Sequence, residues 1–295
     1  MTRVNTDATG RIQPASQKIE TLPDVNGVLA RLGPAIESSL PRHLNPERMG
    51  RLFLTAVRQN PKLLQLEGLS DEARQHVTRS FAGCVVSLCQ IGLEPNTPLG
   101  HAFLIPRKDG RASAKEKRDV YVATMLIGYP GMVELAWRAG IDISAEVVRL
   151  GDDFDYCYGL DQFLRHKPSM ELGREEQPMT FAYAIARAQD RPPKFKVMSA
   201  EQIEMRRAVS AAPNGIGWGD NTEAMYRKTP VRAIWPFIAK NPEMALAARV
   251  EEMGERGESA AQLPEVGAAL RKVGLEGPLE SHEPGPRIVD AEEAP

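Results

Sequence analysis

The sequence predicts an α+β fold in which a small antiparallel β-sheet, built from hairpins, packs against helices. Three observations predict it. Apolar residues recur at helical spacing up to about residue 91. The period then shortens to that of strands, with turn residues between the runs, through residues 101–199. Helical spacing returns after Ser199.

Residues 1–22 are polar, lack the apolar stretch of an export signal, and read as disordered. A helical N-terminal region follows. Beyond Asn45 and Pro46, Met49, Leu52, Phe53, Ala56 and Val57 mark one helix, which Pro61 stops. Ser70 caps the next, with Asp71 and Glu72 suited to its first turn and Gly92 to its end. Its apolar face is Val77, Phe81, Cys84, Val85 and Leu88. Residues 101–106 and 120–127 form a hairpin across a polar loop, then the turn Gly128-Tyr129-Pro130-Gly131 leads into a short helix closed by Gly140. Residues 143–150, 154–158 and 163–166 read as strands, and 179–188 with 194–198 as a further hairpin. Ser199 and Gln202 form a capping box that opens a helix to about Ser210. A loop over residues 212–220 leads to helical spacing over 222–241, interrupted by Pro230 and Pro236. Residues 242–258 carry helical spacing as well, and the remainder is rich in Pro, Gly and Glu. The organisation is therefore a disordered segment 1–22, a domain 23–245, and an acidic, mostly disordered tail 246–295 that is a candidate partner-binding segment.

Among 295 residues, 42% are hydrophobic and 26% charged, ordinary values for a globular chain. No apolar run is long enough for a membrane helix. Cys84, Cys89 and Cys157 form no paired framework and read as reduced thiols of a cytoplasmic protein. The net charge of −2 conceals a division: residues 251–295 hold 11 acidic and 4 basic side chains, leaving 28 acidic and 33 basic in residues 1–250. A mildly basic body with an acidic tail suits a protein that handles nucleic acid, and equally suits a domain with a solvated tail.

Two basic regions are candidates for phosphate contact. The loop 107–118 contributes Arg107, Lys108, Lys115, Lys117 and Arg118, among six basic and two acidic residues between two strands; mobile long cations can follow a phosphate backbone. From Arg187 to Arg232 there are nine basic and five acidic residues. Lys194 and Lys196 share one strand face, with Phe195 and Val197 on the other. Arg206 and Arg207 lie on the helix that follows, and Lys228 and Arg232, four apart, share a helix face if the helix continues through Pro230. Tyr129, Trp137, Trp218, Tyr226 and Trp235 supply aromatic faces for base stacking. Trp137 fits a core position better, whereas Trp218, between glycines, best fits a ligand contact. Asp152, Asp153 and Asp155 read as a turn, not a calcium loop. No GxxxxGK[ST], GxGxxG or GxSxG is present, so a protein that remodelled DNA would have to use binding energy alone.

A longer pattern joins these residues. Gly92-Leu93-Glu94-Pro95-Asn96, Leu99-Gly100-His101-Ala102 and Leu104-Ile105-Pro106 come first. Ile127-Gly128-Tyr129-Pro130-Gly131-Met132 and the run from Glu134 to Gly140 follow, then Gly151-Asp152, Phe154, His166, Pro168, Tyr183-Ala184, Val197-Met198-Ser199, and Glu223 to Thr229 with Arg232. In this order, over about residues 25–245, they resemble the RecT family of phage recombinases. Two positions depart from the family: Pro130 stands where a basic residue is usual, and Pro230 where a β-branched one is.

The resemblance implies ATP-independent binding of single-stranded DNA and annealing of complementary strands in phage-type homologous recombination, without a catalytic centre. It implies a homo-oligomer, a ring or helical filament, that works with a phage-type exonuclease and a host single-strand binding protein. No cofactor is implied, and Mg²⁺ keeps only the role of modulating DNA binding or assembly. The competing readings are a metal-dependent nuclease using Asp152, Asp153 and Glu134, and a structural protein that coats DNA without annealing it.

Overall fold

Helix α3, Asp71–Ile91, begins and ends where its residues dictate. The Ser70 hydroxyl accepts from the Ala73 amide, and Gly92 takes the left-handed conformation, φ +71°, that closes the helix. The computed structural model describes residues 23–275 apart from 190, 211, 212, 220, 239, 240 and 257. The expected disorder of residues 1–22 and the end of the tail, 276–295, lie outside the described residues. The apolar face read from the sequence is too narrow a description of α3. Ala82, Val86, Cys89 and Ile91 are as buried as Val77, Phe81, Cys84, Val85 and Leu88. The stretch from Ser80 to Cys89 is buried all round and needs neighbours on every side. They are α1 (Pro23–Ser39), β2 (Tyr121–Ile127), α9 (Pro242–Arg256) and α10 (Pro264–Lys272). Burial pushes the Cys84 and Cys89 thiols up to about 12, so both stay protonated and unreactive. Helix α2, Pro46–Gln59, capped by Asn45, lays Met49, Phe53, Ala56 and Val57 against α1.

The block from residue 92 to 140 is held by close backbone approaches. Strand β1, Ala102–Lys108, pairs antiparallel with β2, with Ala102 opposite Ile127 and Lys108 opposite Tyr121. Asn96, at φ +54°, turns the chain into β1 and accepts the Leu104 amide on its side chain at 2.7 Å. Gly128 and Gly131 flank the turn into α5, Tyr129–Arg138. A Cβ at Gly128 would lie 2.0 Å from the Gly100 carbonyl oxygen, and one at Gly131 would lie 2.1 Å from that of His101. Only glycine lets α5 dock against the chain entering β1.

The expected sheet is divided into three antiparallel pieces: β1–β2, a three-stranded sheet, and a two-stranded hairpin. The three-stranded sheet orders β3 (Ile141–Arg149), β6 (Met179–Ala188) and β7 (Arg191–Ser199), with β6 central. Its alanine face, Ala182, Ala184 and Ala186, lets α8 (Thr222–Ile234) approach. The opposite face carries Phe181, Tyr183, Phe195 and Val197. The hairpin β4 (Asp153–Cys157) and β5 (Phe163–Lys167) adds Phe154, Tyr156 and Leu164 to that cluster. Phe154 stacks on Tyr183 at 5.9 Å and Tyr158 on Phe195 at 5.1 Å. Both sheet edges are capped by tyrosines. The Val197 amide of β7 donates to the Tyr158 hydroxyl at 2.8 Å, and the Ala145 backbone of β3 hydrogen-bonds that of Tyr129. Unpaired strand edges invite pairing with other chains, and these contacts blunt them.

A domain boundary at residue 245 does not stand. Helix α9 continues to Arg256 and α10 runs from Pro264 to Lys272, burying Met244, Ala247, Val250, Val266 and Leu270 in the main core. Their acidic content suggested a solvated tail, but the apolar residues face the core, and of the acidic ones Glu252 and Glu265 stand in solvent while Glu251 is buried. The approach is tight: a Cβ at Gly254 would lie 2.3 Å from the Met125 carbonyl oxygen, and one at Gly83 2.6 Å from the Ala261 amide nitrogen. Gly254→Ala and Gly83→Ala are each expected to destabilise the fold by about 2–3 kcal/mol in chemical denaturation. Gly110→Ala, with open space around it, is the control expected to change little.

Candidate nucleic-acid interface

The basic loop is a folded element. Residues Gly110–Glu116 form helix α4, with Asp109 as its N-cap and Lys117 at φ +52° as its C-cap. Asp109 anchors α4 to α3 through His76 at 2.9 Å. Lys115 meets Glu72 at 2.6 Å, Lys108 meets Asp119 at 2.6 Å, and Arg118 donates to the Gly68 carbonyl at 2.8 Å. Arg107 donates to the Gly254 carbonyl at 3.2 Å. Four of the five cations selected from this loop are thus engaged with the scaffold. Lys117 is exposed and, like Arg111, has no ion-pair partner among the described residues. A polar run looks the same in sequence whether it is mobile or pinned; of the pinning groups, Glu72, Gly68 and Gly254 lie 43, 50 and 147 residues away.

The second basic region does assemble a surface. In β7, Lys194 and Lys196 stand opposite Ala186 and Ala184, on the α8 side of the edge strand, while Phe195 and Val197 face the aromatic cluster. The alternation read from the sequence is therefore present. Both lysines are exposed and neither has a carboxylate partner among the described residues. Met198, next on that face, packs with Ile203 of α6 (Ala200–Ala208) and Tyr226 of α8. Helix α6 opens with the capping box of Ser199 and Gln202 and presents Arg206 to solvent. Arg207 instead donates to the Pro213 carbonyl at 2.7 Å and lies 5.7 Å from the Trp218 ring.

These elements follow one another as the blocks of the sequence do, and comparison with known proteins decides what they are. The RecT family model matches residues 47–264. Protein RecT of Escherichia coli (strain K12) is 36% identical over 219 residues, 74% of this chain and 75% of its own length. The chain belongs to the RecT family. Family membership carries DNA binding and recombination-related single-strand annealing as the coarse function. The RecT match reaches residue 264, past the point where the sequence blocks fade, which agrees with α9 being part of the domain.

Several residues of this RecT chain occupy places that their sequence neighbourhood did not reveal. Lys228 does not line a groove. Its side chain is buried, 7% exposed, and pairs with Glu251 of α9, whose second oxygen accepts the Ile127 amide of β2. Helix α8 continues through Pro230, so Lys228 and Arg232 do share one helix, but Lys228 points inward and Arg232 is partly buried and engaged. Trp218 is 6% exposed, packed with Met198, Ile203 and Tyr226, because the short helix Ile216–Gly219 turns its indole toward α6 and α8. Tyr226 and Trp235 are buried; the Tyr226 hydroxyl donates to Glu204 and the Trp235 indole to the Met244 carbonyl. Burial and that glutamate push the Tyr226 phenol up to about 12. Tyr129 is half-buried at the β3 edge. Trp137 departs in the other direction: α5 buries Gly131, Met132, Leu135 and Ala136, leaving Trp137 67% exposed on the far side. Pro130, the family departure, occupies the first turn of α5, where a missing amide costs nothing.

Two of the three carboxylates of the nuclease reading, Asp152 and Glu134, are committed elsewhere, while Asp153 is exposed on β4. Asp152 is fully buried at the base of the β4–β5 hairpin. One of its oxygens accepts from Ser169 N at 2.8 Å and Arg174 Nε at 2.7 Å. The other accepts from Arg149 N at 2.8 Å and from a terminal Arg174 nitrogen at 2.7 Å, with His166 Nε2 at 3.0 Å. His166 Nδ1 in turn meets the Tyr183 hydroxyl at 3.2 Å. Glu134 is paired with Arg138 at 2.8 Å. Nothing in the sequence beyond the Asp and His blocks could have shown that Arg174 joins them.

The buried pair and the aspartate generate two predictions. Lys228→Ala, which strands the Glu251 carboxylate, is expected to cost about 3–5 kcal/mol of stability, whereas Lys228→Met with Glu251→Leu recovers most of it. Denaturant melts of the three proteins check this. The Arg174 hydrogen bonds hold the Asp152 carboxyl well below the usual carboxylate range, against burial, which raises it. A depressed folded value means that this stabilisation is present above the unfolded value near 3.9 and is lost as pH falls below it. Asp152→Asn is therefore expected to lower stability at neutral pH and to flatten its loss below about pH 4.

Proposed function

We propose that the chain binds single-stranded DNA along the exposed edge strand β7 and helix α6 and anneals it to a complementary strand without ATP. The observation that carries this reading is the pair Lys194 and Lys196. They alternate on one face of an edge strand, exposed and without a carboxylate partner among the described residues, in a chain of an annealing family. Arg206 extends the same charge onto α6. Cations fixed on rigid elements neutralise phosphate repulsion and release counterions. They leave base edges open, so pairing supplies specificity and, at about 1.4 kcal/mol per base-pair step, the drive. Lys117 and Arg111 on α4 are secondary contacts.

The function is that of an annealing protein of the cytoplasm, not an enzyme, and no cofactor takes part; Mg²⁺ modulates DNA binding or assembly. Among the described residues, no helix is long and apolar enough to cross a membrane. Assembly of copies into a ring or filament joins short sites into one track, so affinity grows with strand length. Leu160 at the tip of the hairpin and Met170 and Leu172 beyond it stand almost fully in solvent, which fits their being covered by a neighbouring copy. A phage-type exonuclease supplies the single strand, a host single-strand binding protein shares it, and the acidic tail is the segment suited to such partners.

Mixing complementary oligonucleotides without ATP and following duplex formation tests the reading. Wild type is expected to accelerate annealing, and a protein that binds strands without accelerating it would be a coating protein. Lys194→Gln with Lys196→Gln is expected to lower the slope of log affinity against log salt by about 1.4, two phosphate contacts at roughly 0.7 each on single strands. Unchanged affinity and slope would move the track away from β7.

A further inference from the structure

At one end of the three-stranded sheet, two large aromatic rings stand in solvent. Trp137 is 67% exposed at the last turn of α5, and Phe237 is 65% exposed just beyond α8. Topology brings them to the same end. Strands β3 and β7 both run antiparallel to β6, and Ile141 and Arg191 both pair with Ala188. Trp137 lies four residues before Ile141. Phe237 is placed by Lys194, whose ammonium lies 5.8 Å from the ring centroid and donates to the Phe237 carbonyl at 3.5 Å.

Charge is concentrated at this end as well. Arg187 precedes Ala188 and Arg138 follows Trp137, so Arg138, Arg187 and Lys194 join the two rings at this end. Arg138 is taken up by Glu134 and the Gly92 carbonyl, and Arg187 shares Asp142 at 3.8 Å. Exposed rings interleaved with cations match the surfaces that hold single strands by stacking and phosphate contact together.

We propose that this end of the sheet is a base-stacking station for single-stranded DNA. Trp137 and Phe237 take the faces of bases while Arg187 and Lys194 hold the phosphates between them. The station rests on the annealing function above and continues the Lys194–Lys196 track around the sheet end. Stacking is indifferent to base identity, as a recombination protein requires, since every base has a π-face.

The placement of the tryptophans makes the idea directly testable. Trp218 and Trp235 are buried, so Trp137 is the indole that a bound base can reach. The experiment titrates the full chain with oligo(dT), reading tryptophan emission in one arm and anisotropy of a labelled oligo(dT) in the other. Quenching of wild-type emission is expected, lost in Trp137→Phe, which keeps a ring and binds within about 3-fold of wild type. Trp137→Ala and Phe237→Ala are each expected to bind roughly 5- to 100-fold more weakly. Both are surface changes whose thermal melts should match wild type. Wild-type affinity in both alanine variants would overturn the station. So would Trp137 emission that shifts with protein concentration and ignores oligo(dT), which would place the ring in a contact between copies. A wild-type chain that fails to bind oligo(dT) would remove the annealing function itself, and the station with it.

Discussion

One carboxylate bridges the two halves of this domain inside the apolar core they share. Glu251 projects from α9 into the interior, where one oxygen takes the Lys228 ammonium of α8 and the other the Ile127 amide at the end of β2. The three-stranded sheet with α8 is thereby joined to the α3 core with its β1–β2 hairpin. A charge buried this completely is tolerated only when its partners are fixed in advance. The surrounding packing supplies that fixation: Gly254, one turn further along α9, brings the helix against the Met125 backbone. Loss of either partner would leave the other stranded without water.

That node gives meaning to the residues by which the family is recognised. Gly92, Asn96, Gly128, Gly131, Asp152 and His166 are fixed by backbone geometry or buried hydrogen bonds. Lys228, in the same class, is an interior ion. These positions build a rigid frame. The groups suited to meet DNA lie where the frame ends, on the edge strand β7, on α6, and at the sheet end bearing Trp137 and Phe237. Rigid placement matters because a strand held in register by fixed cations is already partly ordered when its complement arrives.

Much of the fold was legible locally. Caps at Ser70, Asn45 and Ser199, the stop at Pro61, the left-handed glycine at residue 92 and the alternation of Lys194 to Val197 depend on neighbours within four residues, and all are present in the structure. The acidic turn at Asp152 was readable as a turn, though not as the buried anchor of a hairpin, since Arg174 lies 22 residues away. The helical spacing over residues 242–258 was visible too, but whether those helices were solvated or packed depended on a partner surface on α3.

The sequence by itself determined the family through its ordered motifs, and the α+β class, most of the element order and the alternation of Lys194 to Val197 through short-range sterics and periodicity. Only the tertiary structure decided which cations are available. Lys228 and Lys196 are the same residue type at similar local spacing, yet one is sealed beneath α9 and the other faces water. Trp218 and Trp137 exchanged their expected places for the same reason. Solvent exposure is set by what the rest of the chain lays over a residue, and that depends on contacts tens of residues distant, which no local pattern encodes.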